Sequence, residues 1–178
     1  MDTSKSVGIL GAGTMGMGIA QVAATAGHTT YLFDTRQEAV DRAMVTLKKT
    51  MDMLVSKGKF TPEEGAAILG RIRPASLMKE LASCGLVIEA VIEDLAVKKK
   101  LFQDLEAKVG PQCILATNTS SLSVTEIGAA CTRPERVVGL HFFNPAPLLP
   151  LVEVIPGLAT ADSYRDEAAA LMRAWKKS

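Results

Sequence analysis

Short apolar runs alternate along this chain with longer stretches in which apolar residues recur every three or four positions. Lys5–Leu10 is an apolar run closed by glycine and predicts a buried strand. From Thr14 to Ala26, the residues Met15, Ile19, Val22 and Ala26 fall at helical spacing, and Gly27-His28 stops the helix. Thr29–Phe33 is β-branched and aromatic, the composition of a second strand. Ala, Met and Leu at helical intervals predict a helix from Gln37 to about Lys57, ended by Gly58. Thr61-Pro62-Glu63-Glu64 opens another: Thr caps it, Pro fits the first turn, and the acids suit the positive end. Further strands are expected at Gly85–Glu89, Cys113–Thr117, Arg136–His141 and Leu151–Ile155. Helices are expected at Leu95–Val109, near Val124–Ala130 and at Asp162–Trp175.

Strands separated by helices imply crossover connections and a mostly parallel sheet covered on both faces, a doubly wound α/β fold. Arg36–Ser83 is too long for a single crossover and is expected to form a helical hairpin standing off the sheet, inserted after the second strand.

Composition narrows the function. Hydrophobic residues make up 48% and charged residues 22%, enough apolar mass for a packed core. Twenty basic side chains against nineteen acidic ones leave a net charge of +1, and aromatics are 4%. Neither value gives the footprint of a nucleic-acid binder. Three widely spaced cysteines and two histidines show no metal-ligand spacing, and the cysteines read as reduced thiols of a cytoplasmic protein. No apolar run reaches the roughly 18 residues of a membrane helix, and the first residues lack the features of a secretory signal.

Gly11-Ala12-Gly13-Thr14-Met15-Gly16 fits G-x-G-x-x-G, follows a strand and opens a helix. Asp34 ends the next strand, about 20 residues further on, where the ribose-binding acid of a dinucleotide site is expected. Gly11 permits the tight turn, Gly13 lets a pyrophosphate approach the backbone, and Gly16 lets helix pack on strand. The helix N-terminus offers free N–H groups to the diphosphate. Asp34 would accept bonds from both ribose hydroxyls and repel a 2′-phosphate, so NAD is favoured over NADP; Arg36 weakens that preference slightly. A strand–helix turn without a ligand is the plain alternative.

Asn118-Thr119-Ser120-Ser121 follows the strand Cys113–Thr117, on the side where a parallel sheet meets its ligand. The alternative is a capped turn, with Ser121 or Ser123 as the cap. His141 ends its strand, and Asn144-Pro145 follows two phenylalanines. Glu153 has only apolar neighbours in LVEVI, and a charge buried in a strand is costly unless paired. A His141–Glu153 pair is the economical arrangement, and it would orient the imidazole for proton transfer. An outward-facing Glu153 on an edge strand, and a purely structural His141, are the competing readings.

The segments GAGTMGMGIAQVAATAGH, VIEAVIEDLAVKKKLF, ATNTSSLSV and RVVGLHFFNPAPLLPLVEVI, in this order, resemble the N-terminal, Rossmann-like domain of the 3-hydroxyacyl-CoA dehydrogenases. The resemblance spans nearly the whole chain. It implies NAD-dependent, reversible oxidation of an (S)-3-hydroxyacyl-CoA to the 3-ketoacyl-CoA. His141 would be the general base or acid and Glu153 its partner. Ser120 would hydrogen-bond the reacting oxygen, and Asn144 would lie near the nicotinamide. Glu93 and Lys98 would touch the cofactor, although alone they read as a solvated helix start. Lys57, or Lys59 within a one-residue alignment shift, would meet the CoA phosphates; otherwise it is a mobile basic tip.

The resemblance also implies an organisation: residues 1–156 as the NAD-binding domain, and residues 157–178 as a terminal helix and the start of a linker. A helical C-terminal domain, which makes a homodimer in the family, would follow. Without it, the chain is expected to bind NAD yet turn over slowly. A non-catalytic NAD-binding module is the alternative function: it would share Gly11, Gly13 and Asp34 but have no use for His141, Glu153 or Ser120.

Overall fold

The structure, a computed structural model, describes residues 2–178. Strand β1 (Ser6–Leu10) runs into helix α1 (Thr14–Thr25), which returns the chain to β2 (Thr30–Phe33). Helices α2 (Gln37–Ser56) and α3 (Pro62–Arg71) form the expected hairpin. The capping box at Thr61 is present: its hydroxyl accepts from the Glu64 N–H and the Glu64 carboxylate accepts from the Thr61 N–H.

Two features of the inserted segment differ from expectation. The hairpin does not stand clear of the sheet, because Ala39, Val40 and Ala43 of α2 are buried in the core. After α3 the chain also adds a strand that periodicity does not announce, β3 (Ile72–Ala75), pairing parallel with β2. It is short, it contains Pro74, and it lies at the sheet edge, the place where a residue lacking an N–H can sit in a strand.

The remaining order is β4 (Cys84–Glu89), α4 (Leu95–Glu106), β5 (Ile114–Thr117), α5 (Val124–Ala129), β6 (Val137–Phe142), β7 (Val152–Pro156) and α6 (Asp162–Ala174). The seven strands lie in the order β3-β2-β1-β4-β5-β6-β7, parallel except for β7, which is antiparallel to β6. The direction of winding reverses between β1 and β4, the switch point at which doubly wound sheets open a crevice.

Alternation along the strands divides the core into two layers. Val7, Ile9, Leu86, Ile88, Ile114 and Ala116 face one side, beneath α1, the hairpin and α6. Leu10, Val87 and Leu115 face the other, against Phe102 and Leu105 of α4 and Ile127 of α5. The terminal helix expected after residue 156 is α6. Ala168 and Met172, with Trp175 just beyond, are buried in the same layer as Val7 and Val152. Among the described residues, no helix is long and apolar enough to cross a membrane.

The three cysteines are unpaired and buried. Burial pushes the Cys84 and Cys113 thiols up to about 12 and that of Cys131 to about 11, so none is a reactive thiolate at neutral pH.

Glu106, at the end of α4, ties that helix to the turn before β6. It accepts from the backbone N–H groups of Thr132 (2.8 Å) and Arg133 (2.9 Å) and faces the buried Arg136 guanidinium at 3.7 Å. Burial pushes its carboxyl up, but these donors outweigh burial and hold it below its usual 4.5. The folded form therefore binds the Glu106 proton less well than the unfolded chain. The resulting stability is present above about pH 4.5 and is lost as pH falls through the folded value. In thermal unfolding, Glu106→Gln should lower stability by about 1–2 kcal/mol at pH 7. The gap to wild type should narrow as pH falls below about 4.5; a gap that stays constant from about pH 7 to about pH 3 would contradict this account.

Candidate active site

The chain leaves β1 at Leu10 and turns at Gly11, whose φ of +106° lies in the left-handed region. A Cβ on Gly11 would stand 2.5 Å from the Ala90 carbonyl oxygen, and one on Gly16 would stand 1.8 Å from the Gly11 carbonyl oxygen. The turn can close only without those side chains. At Gly13, by contrast, a Cβ would meet nothing within 4 Å. Gly13 faces open cleft, and α1 begins there with no side-chain cap and no acid in its first turn. Its free N–H groups and positive end are left for an anion.

Asp34 is turned toward this loop. Its Oδ2 accepts from the Ala12 N–H at 2.9 Å, and its Oδ1 accepts from the Arg36 N–H at 2.9 Å. A carboxylate has about four acceptor positions, so capacity remains for ribose hydroxyls. A cavity of about 540 Å³ lies here, lined by Gly11, Gly13, Asp34, Ile92, Val97 and Leu101 among others. Ile92, Val97 and Leu101 give this cavity an apolar wall beside the acid.

A second cavity of about 310 Å³ shares Ala90 and Val91 with the first and extends along the strand ends toward β6. Met15, Glu93, Lys98, Asn118, Ser120, His141 and Asn144 line it. Seven of the residues singled out in the sequence thus meet on one surface, drawn from α1, α4, β6 and the loops after β4, β5 and β6. Thr14 is exposed at the start of α1, beside Gly13.

His141 and Glu153 are direct partners across the antiparallel β6–β7 pair. His141 Nδ1 lies 2.8 Å from Glu153 Oε1, and the Phe143 ring stands 4.4 Å from the imidazole centroid. Nδ1 is thereby engaged, and Nε2 is the nitrogen left for chemistry. The burial premise behind Glu153 needs correction: β7 is an edge strand and the Glu153 side chain is 50% exposed. The pair exists because the register sets the two residues opposite each other, not because a buried charge required a partner.

The four polar residues after β5 divide their work. Asn118 Oδ1 accepts from the Phe142 N–H at 2.8 Å, tying the loop to the end of β6. The hydroxyls of Thr119 (2.7 Å) and Ser121 (3.2 Å) donate to Glu93 Oε2. Ser123 caps α5. Ser120 makes no protein hydrogen bond among the described residues and lines the cavity near His141.

Lys98 is not a solvated helix start. Its side chain is 1% exposed, and its ammonium donates to Glu89 Oε2, with Glu93 Oε1 at 3.1 Å. Glu89, fully buried at the end of β4, also accepts from the Val91 N–H (2.8 Å) and the Thr117 hydroxyl (2.7 Å). Sequence reasoning passed over Glu89, although its place in the apolar run GLVIEAVI was a signal. Burial pushes the Glu93 carboxyl up, but the Thr119 hydroxyl, Lys98 and Ser121 outweigh it and hold the group below its ordinary value.

Lys57 is exposed at the C-terminal end of α2 and lines neither cavity. Lys59 lines a separate depression with Phe60, Pro147 and Trp175. The structure does not bring either lysine together with His141.

The doubly wound sheet with a glycine turn at its switch point is the fold of a dinucleotide-binding domain. Residues 6–178 match the sequence family described as "3-hydroxyacyl-CoA dehydrogenase, NAD binding domain", and the chain belongs to that family. It is 46% identical, over 97% of its own length and 36% of the relative's, to the 3-hydroxyadipyl-CoA dehydrogenase of Escherichia coli. It is 45% identical to the 3-hydroxybutyryl-CoA dehydrogenase of Bradyrhizobium diazoefficiens, over 89% of its length and 54% of the relative's. A crystal structure of 3-hydroxybutyryl-CoA dehydrogenase from E. coli superposes with a TM-score of 0.96 at 46% identity, covering 98% of this chain and 37% of that one. The (S)-3-hydroxybutyryl-CoA dehydrogenase from Ralstonia eutropha gives 0.94 at 39% identity, covering 97% and 61%. The chain therefore spans between about a third and three fifths of the length of these relatives.

The two glycines predict opposite outcomes. Gly13→Ala should leave thermal stability within about 1 kcal/mol of wild type, since its Cβ has free space, while NAD affinity falls about tenfold or more. Gly16→Ala should destabilise the fold itself, by roughly 3 kcal/mol or more, because its Cβ overlaps backbone. Melting curves and NAD titration separate the two; unchanged NAD affinity in Gly13→Ala would contradict the placement of the pyrophosphate.

Proposed function

We propose that this chain carries the cofactor site and the proton-transfer pair of an enzyme that oxidises (S)-3-hydroxyacyl-CoA thioesters to 3-ketoacyl-CoA, reversibly and with NAD. One observation carries the reading. An imidazole held at Nδ1 by a carboxylate lies on the same cleft as the bare glycine turn and Asp34.

The N-terminus of α1 and Gly13 hold the pyrophosphate, Asp34 holds the adenosine ribose, and Met15, Glu93, Lys98, Asn118 and Asn144 wall the nicotinamide end. Bound NAD supplies the acceptor for the hydride that leaves the substrate carbon. His141 takes the hydroxyl proton at Nε2, and in the reverse direction returns it. Glu153 keeps the ring in place through Nδ1 and steadies the charge that the ring gains. Ser120, with its hydroxyl unengaged, donates to the reacting oxygen as it becomes a carbonyl. Lys57 at the hairpin tip, or Lys59 nearby, meets the CoA phosphates.

We extend the proposal to a helical companion domain and a homodimer, supported by the length of the relatives that the chain does not span. A cytoplasmic setting fits three buried, unpaired cysteines.

Calorimetric titration should show the chain binding NAD at least about tenfold more tightly than NADP, because Asp34 repels a 2′-phosphate. Equal affinity would remove Asp34 from the assigned role. With the chain in excess over (S)-3-hydroxybutyryl-CoA and NAD, single-turnover NADH formation should fall about 10²- to 10⁴-fold in His141→Gln, with NAD affinity unchanged. A wild-type rate in that variant would remove His141 from the proton-transfer role; NAD binding with no NADH formation by the wild-type chain would favour a non-catalytic NAD-binding module.

A further inference from the structure

Two carboxylates converge on one ammonium at the nicotinamide end of the cleft. Glu89 is fully buried, Lys98 is 1% exposed, and Glu93 stands at the surface of the cavity with its side chain 40% exposed. Glu89 receives three donors, the Val91 N–H, the Thr117 hydroxyl and the Lys98 ammonium, an environment that only an ionised carboxylate uses fully. Lys98 needs no second carboxylate to be satisfied, because Glu89 already neutralises it and the Val91 carbonyl stands at 3.4 Å. Glu93 is added nonetheless, fixed by the hydroxyls of Thr119 and Ser121. The trio carries one net negative charge, partly screened from water, on the wall that faces the ring. The other titratable groups near this end are His141, which lines the same cavity, and its partner Glu153 on β7.

We propose that the Glu89–Lys98–Glu93 trio tilts the cleft toward the oxidised dinucleotide, and that Glu89 does so from behind the wall without touching the cofactor. The inference rests on the proposed function. The nicotinamide ring is cationic in NAD⁺ and neutral in NADH. A net negative charge beside it stabilises the first and leaves the second nearly unaffected. The pyrophosphate, ribose and adenine contacts are common to both forms and cancel in the ratio of the two dissociation constants. That ratio therefore reports the charge at the ring.

The experiment measures dissociation constants of the chain for NAD⁺ by calorimetry and for NADH by fluorescence, in wild type, Glu89→Gln, Glu93→Gln and Lys98→Met. Each glutamine variant takes the trio from net −1 to neutral. Each should raise Kd(NAD⁺)/Kd(NADH) by about three- to tenfold, from one unit charge acting at intermediate dielectric. Lys98→Met makes the trio more negative and should move the ratio the opposite way. A loss of packing alone would weaken both forms and leave the ratio in place. If Glu89→Gln fails to fold, Glu93→Gln decides, since its side chain is partly exposed and its amide can keep the Thr119 bond. Folded glutamine variants with the wild-type ratio overturn the inference and leave the proposed function standing. A wild-type chain that binds neither dinucleotide overturns both.

Discussion

A carboxylate with no access to water must be met by donors, and Glu89 draws its donors from three directions. They come from its own loop after β4, from α4 through Lys98, and from the end of β5 through Thr117. Removing Lys98 would leave a buried charge unpaired, at a cost of several kcal/mol, and removing the Thr117 hydroxyl would cost about 1–3 kcal/mol. The chain meets this constraint by drawing the ends of β4 and β5 and the start of α4 together. Glu93 then follows, anchored to Lys98, and the loop Thr119–Ser121 is fastened to Glu93. The wall of the cleft and the position of Ser120 are consequences of one buried ion pair at the strand ends.

The opposite wall is built by different physics. Among the described residues β7 alone runs antiparallel in the sheet, and its direction brings Glu153 opposite His141. Its edge position leaves Glu153 half in water, so the pair carries no large desolvation cost. Between the two walls lies the switch point, where the glycine turn must be free of side chains to close. Rigid burial on one side and a solvated pair on the other suit a site in which one wall recognises a cofactor and the other exchanges a proton.

Much of this could be read in the sequence, and the failures share a cause. Helices are legible because each buries one face, strands because the sheet buries them on both faces and they read as short apolar runs, and Thr61 and the glycine turn are local chemistry within a few residues. The His141–Glu153 pairing is legible in the sequence, but burial is not its cause: Glu153 lies on an exposed edge, the competing placement that the sequence allows, and the register makes the pair. The argument that buried charges need partners applies to Glu89, which read only as the last residue of a strand. Lys98 heads the run Lys98-Lys99-Lys100, which reads as a solvated face. Its burial depends on Glu89, nine residues earlier, and on Thr117, nineteen residues later and on a neighbouring strand. β3 was missed because four residues with a proline carry no strand signal until β2 offers an edge. What the sequence hides is pairing decided by the sheet.

The central claim is that bound NAD lies across the strand ends with its nicotinamide ring beside His141. The chain contains two histidines, and His28 is buried against Trp175, so the ring protons of His141 are a distinct probe. Nuclear Overhauser contacts measured on the NAD complex test the claim most directly. The account predicts cross-peaks from the nicotinamide protons to the His141 ring, and from the adenine protons to Ile92, Val97 or Leu101. Adenine contacts at His141, or a nicotinamide ring with no contact to it, would contradict the account.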